Sequence, residues 1–254
     1  MDMVTKAKIN LFAVLRNLQD LCTMDPVAAD MIKNENISVQ FKVPNVGIGT
    51  LRFADGKCTF VRGKGPASLK LWFTSPEHFN TMIDGGKTIP IFINVFKVGF
   101  LLNTFMKLAD RMAYFLKPPA DKKAELLKDP EYFKINTILT AYTAFNAMAE
   151  IANSDKIGKA CAYRMFDGVI LMEIKGGPSL NITVKDHLLS VGVGKVKLPT
   201  ATMTFNSMEF AHKLLNGEAS TFGGMGSGDF GLSGAVALLE QMGKLLNLVS
   251  VYLG

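Results

Sequence analysis

The feature that most constrains the fold is a phrase that the chain carries twice. Residues 73–85 read FTSPEHFNTMIDG, and residues 205–217 read FNSMEFAHKLLNG, with Phe, Ser, Glu and Gly at matching positions. In each copy the serine is a favourable N-cap, and the final glycine suits the left-handed residue that ends many helices. Each phrase therefore predicts a strand end, a short helix and a glycine stop.

The elements that precede the phrase also repeat in order. Lys-Ile-Asn stands at 8–10 and again at 134–136, and each opens an apolar stripe with helical spacing. Runs with strand-like alternation follow, separated by short loops rich in Gly, Pro, Asp and Asn. The predicted strands are 38–43, 49–54, 57–63 and 68–74 in the first copy, and 160–166, 168–176, 179–184, 188–194 and 200–206 in the second.

A long apolar helix closes each copy. Aligning residues 95–112 with residues 225–242 brings apolar side chains together. The aligned pairs are Phe100/Phe230, Leu102/Leu232, Leu108/Leu238 and Met112/Met242. The offset between the copies drifts along the chain, which small insertions explain.

This order of elements predicts a tandem duplication of one small α/β (α+β) domain. Each domain is expected to hold a mostly antiparallel sheet of about five strands covered by helices. We predict one domain at 1–118, a linker at 119–129 that follows Pro118, and a second domain at 130–254.

Composition agrees with a folded chain. Of 254 residues, 48% are hydrophobic and 20% are charged, which excludes a disordered protein. The longest stretch without a charged side chain, 135–149, has 15 residues and is short for a membrane span. The first residues lack the apolar core of a secretory signal, so we expect a cytoplasmic protein.

The net charge of +6 raises the question of a nucleic-acid partner. The basic residues are dispersed, and their densest group lies in the predicted linker, KPPADKKAELLK. No basic helix and no aromatic–basic stretch accompanies them, so we predict that the protein does not bind nucleic acid. Transient contact with an anionic membrane surface is equally compatible with the charge.

Residue types that support catalysis are scattered. The chain has three isolated cysteines, which we expect to be reduced, and three histidines, which we expect at the surface. None of them shows metal-ligand spacing or a nucleophile motif. They are Cys22, Cys58, Cys161, His78, His187 and His212. Residues 226–231 match G-x-G-x-x-G, but the chain left after them has no room for the rest of a dinucleotide-binding unit. We predict no catalysis, no metal and no cofactor.

The repeated unit resembles the sterol carrier protein-2 (SCP2) family. The resemblance is clearest in the second copy, where ATMTFN precedes SMEFAHKLLNGE, and Gly-Asp-Phe-Gly-Leu (228–232) leads into the helix AVALLEQMGKLL. The first copy keeps the strand and the repeated phrase, but its return segment reads KTIPIFINVFKVGFLL and lacks the glycine-rich step.

The resemblance implies a hydrophobic tunnel that binds, and in relatives transfers, sterols, fatty acids or acyl-CoA without chemistry of its own. We expect the second copy to be the better binder and the protein to be a monomer. A glycine-rich approach at 223–231 is expected to move aside and admit the ligand. The side chains expected at the lipid in the second copy are Leu238, Met242, Leu245 and Leu246 in the wall, Phe222, Met225 and Phe230 at the mouth, and also Leu232 and Met203; those in the first copy are Phe100, Phe105 and Met112. Two alternatives stay open: a partner-binding scaffold, and an accessory module that presents acyl substrates to an enzyme.

Overall fold

The computed structural model describes residues 1–93 and 97–253. The chain divides into two compact units, Met1–Leu139 and Thr140–Gly254. The boundary falls inside one long helix, Pro130–Ser154, and residues 120–126 of the predicted linker form a helix. The domain limits taken from the sequence stay a prediction.

Both units share the same general order: helices, a run of four strands, a short helical segment, a fifth strand and a closing helical segment. The strands in the described residues are β1 (Ile37–Val43), β2 (Gly47–Ala54), β3 (Lys57–Arg62), β4 (Leu69–Trp72), β5 (Ile91–Ile93), β6 (Gly168–Ile174), β7 (Ser179–Lys185), β8 (Leu188–Val193), β9 (Ala201–Phe205) and β10 (Phe230–Gly234). The α-helices are α1 (Met3–Ile9), α2 (Leu18–Met24), α3 (Pro26–Ile32), α4 (Pro76–Ile83), α5 (Val98–Phe100), α6 (Met106–Leu116), α7 (Ala120–Leu126), α8 (Pro130–Ser154), α9 (Lys156–Tyr163), α10 (Met208–Leu215), α11 (Thr221–Ser227) and α12 (Val236–Leu253). Two π-helical segments (Asn10–Val14 and Leu101–Phe105) and a 3₁₀ turn (Leu15–Asn17) join neighbouring α-helices.

The first sheet has the strand order β3-β2-β1-β4-β5. The central pair, β1 and β4, runs parallel, and the other neighbours are antiparallel. Val39 and Phe41 of β1 are fully buried, whereas Lys42 points to solvent, as the period of two requires. One face of this sheet therefore packs against helices and the other is left open.

The second sheet has the order β8-β7-β6-β9-β10, again with a parallel central pair, β6 and β9. All its other neighbours are antiparallel, as in the first sheet. The prediction of a mixed α/β architecture with about five strands per unit is confirmed.

Each sheet has the same kind of hairpin between its edge strand and the neighbouring strand. Asp55 and Gly56 join β2 to β3 with φ of 53° and 68°, and Asp186 and His187 join β7 to β8 with φ of 50° and 61°. Positive φ at both central residues is the turn geometry that fits the twist of a two-residue hairpin. His187 thus occupies a turn position that favours glycine or asparagine.

The repeated phrase folds as predicted in both units. The hydroxyl of Ser75 accepts the backbone N–H of His78 at 3.2 Å, and that of Ser207 accepts the N–H of Phe210 at 3.1 Å. Glycines with φ of 83° and 75°, at positions 85 and 217, follow the two helices. These caps explain why the phrase recurs, because its serine begins a short helix and its glycine ends one.

Two predictions for the second copy are wrong. Residues 160–166, predicted as a strand, belong mainly to helix α9, because the carboxylate of Asp155 caps its first turn by accepting the N–H groups of Ile157 and Gly158. The glycine-rich step, predicted as a flexible hinge or entrance rim, contains the edge strand β10, which pairs with β9. Glycines obscured the period of this strand, since they carry no side chain to alternate.

The predicted alignment before the last helix is also wrong. Phe92 pairs with Leu71 in the first sheet, and Leu232 pairs with Met203 in the second, so Phe92 is the counterpart of Leu232. Phe100, which the alignment matched to a strand residue, lies in helix α5. Residues 94–96, which the aligned segment includes in part, lie outside the described residues. The first unit has more residues between its edge strand and its last helix, which shifts the register.

Candidate functional site

Helix α12 supplies the predicted wall of the ligand site. Leu238, Met242 and Leu245 have no exposed surface, and Leu246 is half-buried. The helix packs against α9 and against strands β9 and β10 of the same unit. The structure thus gathers three of the four predicted wall residues into the interior of the second unit.

Three phenylalanines form an aromatic cluster at the edge of this interior. Phe230 lies 5.2 Å from Phe205 and 6.2 Å from Phe210, measured between ring centroids. All three rings are buried. The prediction that Phe230 lies at the mouth of the site is wrong, because β10 turns this side chain inward.

Helix α11 lies over the cluster and touches it through a glycine. A Cβ added at Gly224 would overlap the ring of Phe210, whereas one at Gly226 would meet no atom within 4 Å. Ser220 caps the start of the helix, and Gly228, with φ of 79°, ends it. The segment predicted as a flexible glycine-rich approach is therefore a short, capped helix that rests on an aromatic ring.

Apolar side chains are exposed on and beside α11. Phe222 is 82% exposed, Met225 is 40% exposed, and Val236 at the start of α12 is 70% exposed. Leu232 of β10 is 39% exposed, although its register partner Met203 is buried. The exposed group Phe222, Met225, Leu232 and Val236 is called the α11 rim below. It borders the buried cluster and is apolar, as the mouth of a site for a hydrocarbon would be.

One buried side-chain oxygen of α12 has no hydrogen-bond partner among the described residues. Gln241 is 7% exposed, and its Oε1 accepts no hydrogen bond from the described residues. A buried carbonyl of this kind costs free energy unless a partner satisfies it. It stands one residue before Met242 and was not found from the sequence, because a glutamine in an apolar helix looks like a surface position.

The predicted site residues of the first unit are part of a closed core. Phe105 lies 5.8 Å from Phe41, and Phe100 lies 5.1 Å from Phe53. Met112 is 8% exposed and belongs to the same cluster. A surface cavity of about 430 Å³ touches only Phe100 among them; its other lining residues are Glu35, Lys97, Gly99, Asn103 and Thr104. Aromatic packing therefore occupies the place expected for a ligand in this unit.

The histidines are engaged in local structure. The Nδ1 of His78 accepts the backbone N–H of Thr74 at 3.2 Å, and His187 lies 3.3 Å from the carbonyl of Met165. His212 is only 5% exposed, so the expectation of a surface position is wrong for it; helix α10 turns it inward. Within 1–93 and 97–253, no group of three His, Cys, Asp or Glu could hold a metal.

The three cysteines are buried and free. A hydrogen bond with the thiol of Cys22, together with burial, raises the pKa of Cys58 far above its usual range. A protonated, buried thiol is a poor nucleophile.

Among the described residues, one helix, α12, is long and apolar enough to cross a membrane by length and composition. The core helix of a globular domain meets the same criterion, and α12 packs against its own sheet.

Comparison with known proteins gave structural similarities only. No protein-family model matches the chain, and no curated protein matches it. A ubiquinone synthesis protein described as UbiJ-SCP2 is 16% identical, with 44% of this chain and 95% of that chain covered and a TM-score of 0.33. The sterol carrier protein domain 2 of Helicoverpa armigera is 15% identical, with 44% and 89% covered and a TM-score of 0.36.

A third similarity is to an enzyme. The sec-alkylsulfatase Pisa1 from Pseudomonas sp. is 10% identical, with 59% of this chain and 28% of that chain covered and a TM-score of 0.27. All three TM-scores lie below 0.5, so the fold is assigned from the strand order and registers of this chain alone.

Proposed function

We propose that the protein is a non-catalytic, SCP2-like carrier that binds a long-chain apolar ligand in its second unit. The observation that carries the proposal is the glycine contact of α11 with the buried ring of Phe210, beside the exposed α11 rim. A short helix that meets this ring through a glycine can move away from it without unpacking a large side chain of its own at that contact. The ligand would then pass between α11 and α12 toward Met242 and Leu245.

The driving force would be removal of hydrocarbon from water. Each buried methylene contributes roughly 0.8 kcal/mol, so a chain of about twelve methylenes gives roughly 10 kcal/mol before the cost of ordering it. Gln241 could accept a hydrogen bond from a hydroxyl or a protonated acid at one end of such a ligand. No charged anchor is needed.

We also propose that the two units are tandem copies of one domain, in a cytoplasmic monomer. Beyond their shared strand order, both carry a glycine with φ near 105°, Gly63 at 107° and Gly194 at 105°. In each, the glycine carbonyl accepts a side-chain hydrogen bond from a strand of its own sheet, from Thr50 at 3.1 Å and from Asn181 at 3.0 Å. Independent folds would have little reason to share such a detail.

A pair of glycine substitutions in α11 tests the carrier proposal. Gly224→Ala should force α11 away from Phe210, because the new methyl overlaps the ring. We expect a fluorescent long-chain fatty acid to dissociate from this variant about tenfold faster, which corresponds to roughly 1.4 kcal/mol of lost closing contact. Stopped-flow displacement by unlabelled fatty acid measures the rate.

Gly226→Ala is the matched control. Its methyl meets open space, and alanine favours the helix by roughly 0.5–1 kcal/mol over glycine, so dissociation should be unchanged or slower. Equal rates for Gly224→Ala, Gly226→Ala and the unaltered protein would contradict a role for α11 in ligand exchange.

A further inference from the structure

The open face of the first sheet carries a surface cavity that the ligand site does not involve. It has a volume of about 410 Å³. Its lining residues come from β1, β2, β4 and the loop before β4, and include Gln40, Lys42, Lys64, Gly65, Lys70 and Trp72. Three of them are lysines, and Trp72 is the single tryptophan of the chain.

The registers show that every charged side chain on the described strands of this face is basic. Lys42 lies opposite Trp72, and Lys70 lies opposite Gln40, so the three charged or aromatic side chains share one face of the sheet. Arg52 and Lys57 occupy outward positions on β2 and β3 of the same face. In the described strands β1 to β5, none of the outward positions holds an acidic residue.

Contacts among the lining residues hold the side chains and the loop around this cavity in place. The Nζ of Lys42 lies 4.1 Å from the centroid of the Trp72 ring, a cation–π distance. The Nε2 of Gln40 donates to the carbonyl of Gly65 at 3.3 Å and so holds the loop that carries Lys64 against the sheet. Around Trp72, apolar side chains reach solvent: Ile91 is 52% exposed and Ile89 is 74% exposed.

The second unit offers a comparison within the same chain. In the second sheet the parallel ladder starts at Ile170 and Ala201, and in the first it starts at Val39 and Leu69. Counting three residues along the first strand of each ladder makes Glu173 the counterpart of Lys42. By the same registers, Lys70 and Trp72 correspond to threonines, at 202 and 204. Glu173 is neutralised by Lys195 at 2.7 Å. The basic face is therefore a property of the first unit and not a requirement of the fold.

We infer that the basic face of the first sheet docks on membranes that contain anionic lipids. Lysines beside an exposed tryptophan and isoleucines combine attraction to acidic headgroups with apolar groups that enter the interface. A nucleic acid fits less well, because Lys42 already covers a face of Trp72, the aromatic ring at the outward positions of the described strands β1 to β5. This surface belongs to the first unit, whereas the ligand site proposed above belongs to the second.

The test is sedimentation of the whole protein with vesicles. We expect binding to vesicles of phosphatidylcholine with about 30% phosphatidylserine, and little binding to phosphatidylcholine alone. The double variant K42Q/K70Q should bind the anionic vesicles about 25-fold more weakly, about fivefold for each lysine. Raising the salt from about 50 to about 500 mM should also weaken binding by the unaltered protein, because screening reduces the attraction.

The matched control, K185Q/K197Q, removes the same charge from exposed positions of the second unit and should stay within about twofold of the unaltered protein. Equal losses in the two double variants would overturn the assignment to this face. Equal binding to neutral and anionic vesicles would overturn the electrostatic docking. Binding to an RNA oligonucleotide but not to vesicles, with loss in K42Q/K70Q, would replace the membrane by nucleic acid. Fatty-acid binding measured without vesicles reports separately on the ligand site, so either proposal can fail alone.

Discussion

Arg111→Met is expected to lower the free energy of unfolding of the first unit by about 3 kcal/mol, because it leaves a buried carboxylate without its cation. Arg111 binds Asp25 through two hydrogen bonds, from Nε at 2.7 Å and from Nη2 at 2.9 Å. The guanidinium also lies 4.6 Å from the ring centroid of Tyr114 and 4.9 Å from that of Phe115. Urea unfolding followed by circular dichroism measures the loss.

The same pair predicts a pH dependence. Burial alone would raise the pKa of Asp25, but hydrogen bonds from Arg111 and from the N–H of Ala28 outweigh burial and hold that pKa below its usual range. A depressed pKa means that the carboxylate contributes stability above its unfolded pKa, about 3.9, and loses it as the pH falls through the folded value. We expect the unaltered protein to lose more stability below about pH 4 than D25N does.

Two controls define this result. D30N removes an ion pair at the surface, where the side chain of Lys33 is 60% exposed and that of Asp30 is 71% exposed. This variant should change the free energy of unfolding by less than about 0.5 kcal/mol. The double variant D25N/R111M should be more stable than R111M, because no charge is left buried. A loss in R111M no larger than in D30N would contradict the role given to the pair.

Leu238→Ala is the second change with a large expected effect. Leu238 has no exposed surface, so the variant should lose about 2–5 kcal/mol in the second unit. A bound fatty acid at about a hundredfold its Kd should return about 2.7 kcal/mol, because it binds only the folded state. Hydrogen exchange followed by mass spectrometry reads the two units separately.

Leu108→Ala is the matched variant of the first unit. Leu108 is equally buried on helix α6 of its unit, so its removal should cost a similar free energy. We expect the fatty acid to restore protection after L238A but not after L108A, because aromatic side chains close the first core. Restoration of L108A alone would reverse the assignment of the binding unit.

Much of the fold could be predicted because capping and turn residues act locally. Ser75 and Ser207 begin helices through hydrogen bonds to nearby N–H groups, and this information lies within a few residues. Strand β10 could not be predicted in the same way. Its pairing with β9 is a non-local contact, and its glycines give no alternation to read.

The candidate site was predictable in its apolar wall and less so in its details. The spacing of Leu238, Met242 and Leu245 marks one face of a helix, and that face is buried. The contact of α11 with Phe210 depends on a side chain of the preceding helix, α10, which the sequence pattern of α11 itself does not record. The burial of Gln241 depends likewise on neighbours from other elements.

The measurement that tests the carrier account most directly is mass spectrometry of the intact protein under native conditions, followed by extraction and identification of the lipid. The account predicts one apolar ligand per chain, lost or exchanged faster in Gly224→Ala and retained in Gly226→Ala. A purified protein that carries no lipid, and that takes up none when long-chain fatty acids or sterols are supplied in excess, would contradict it.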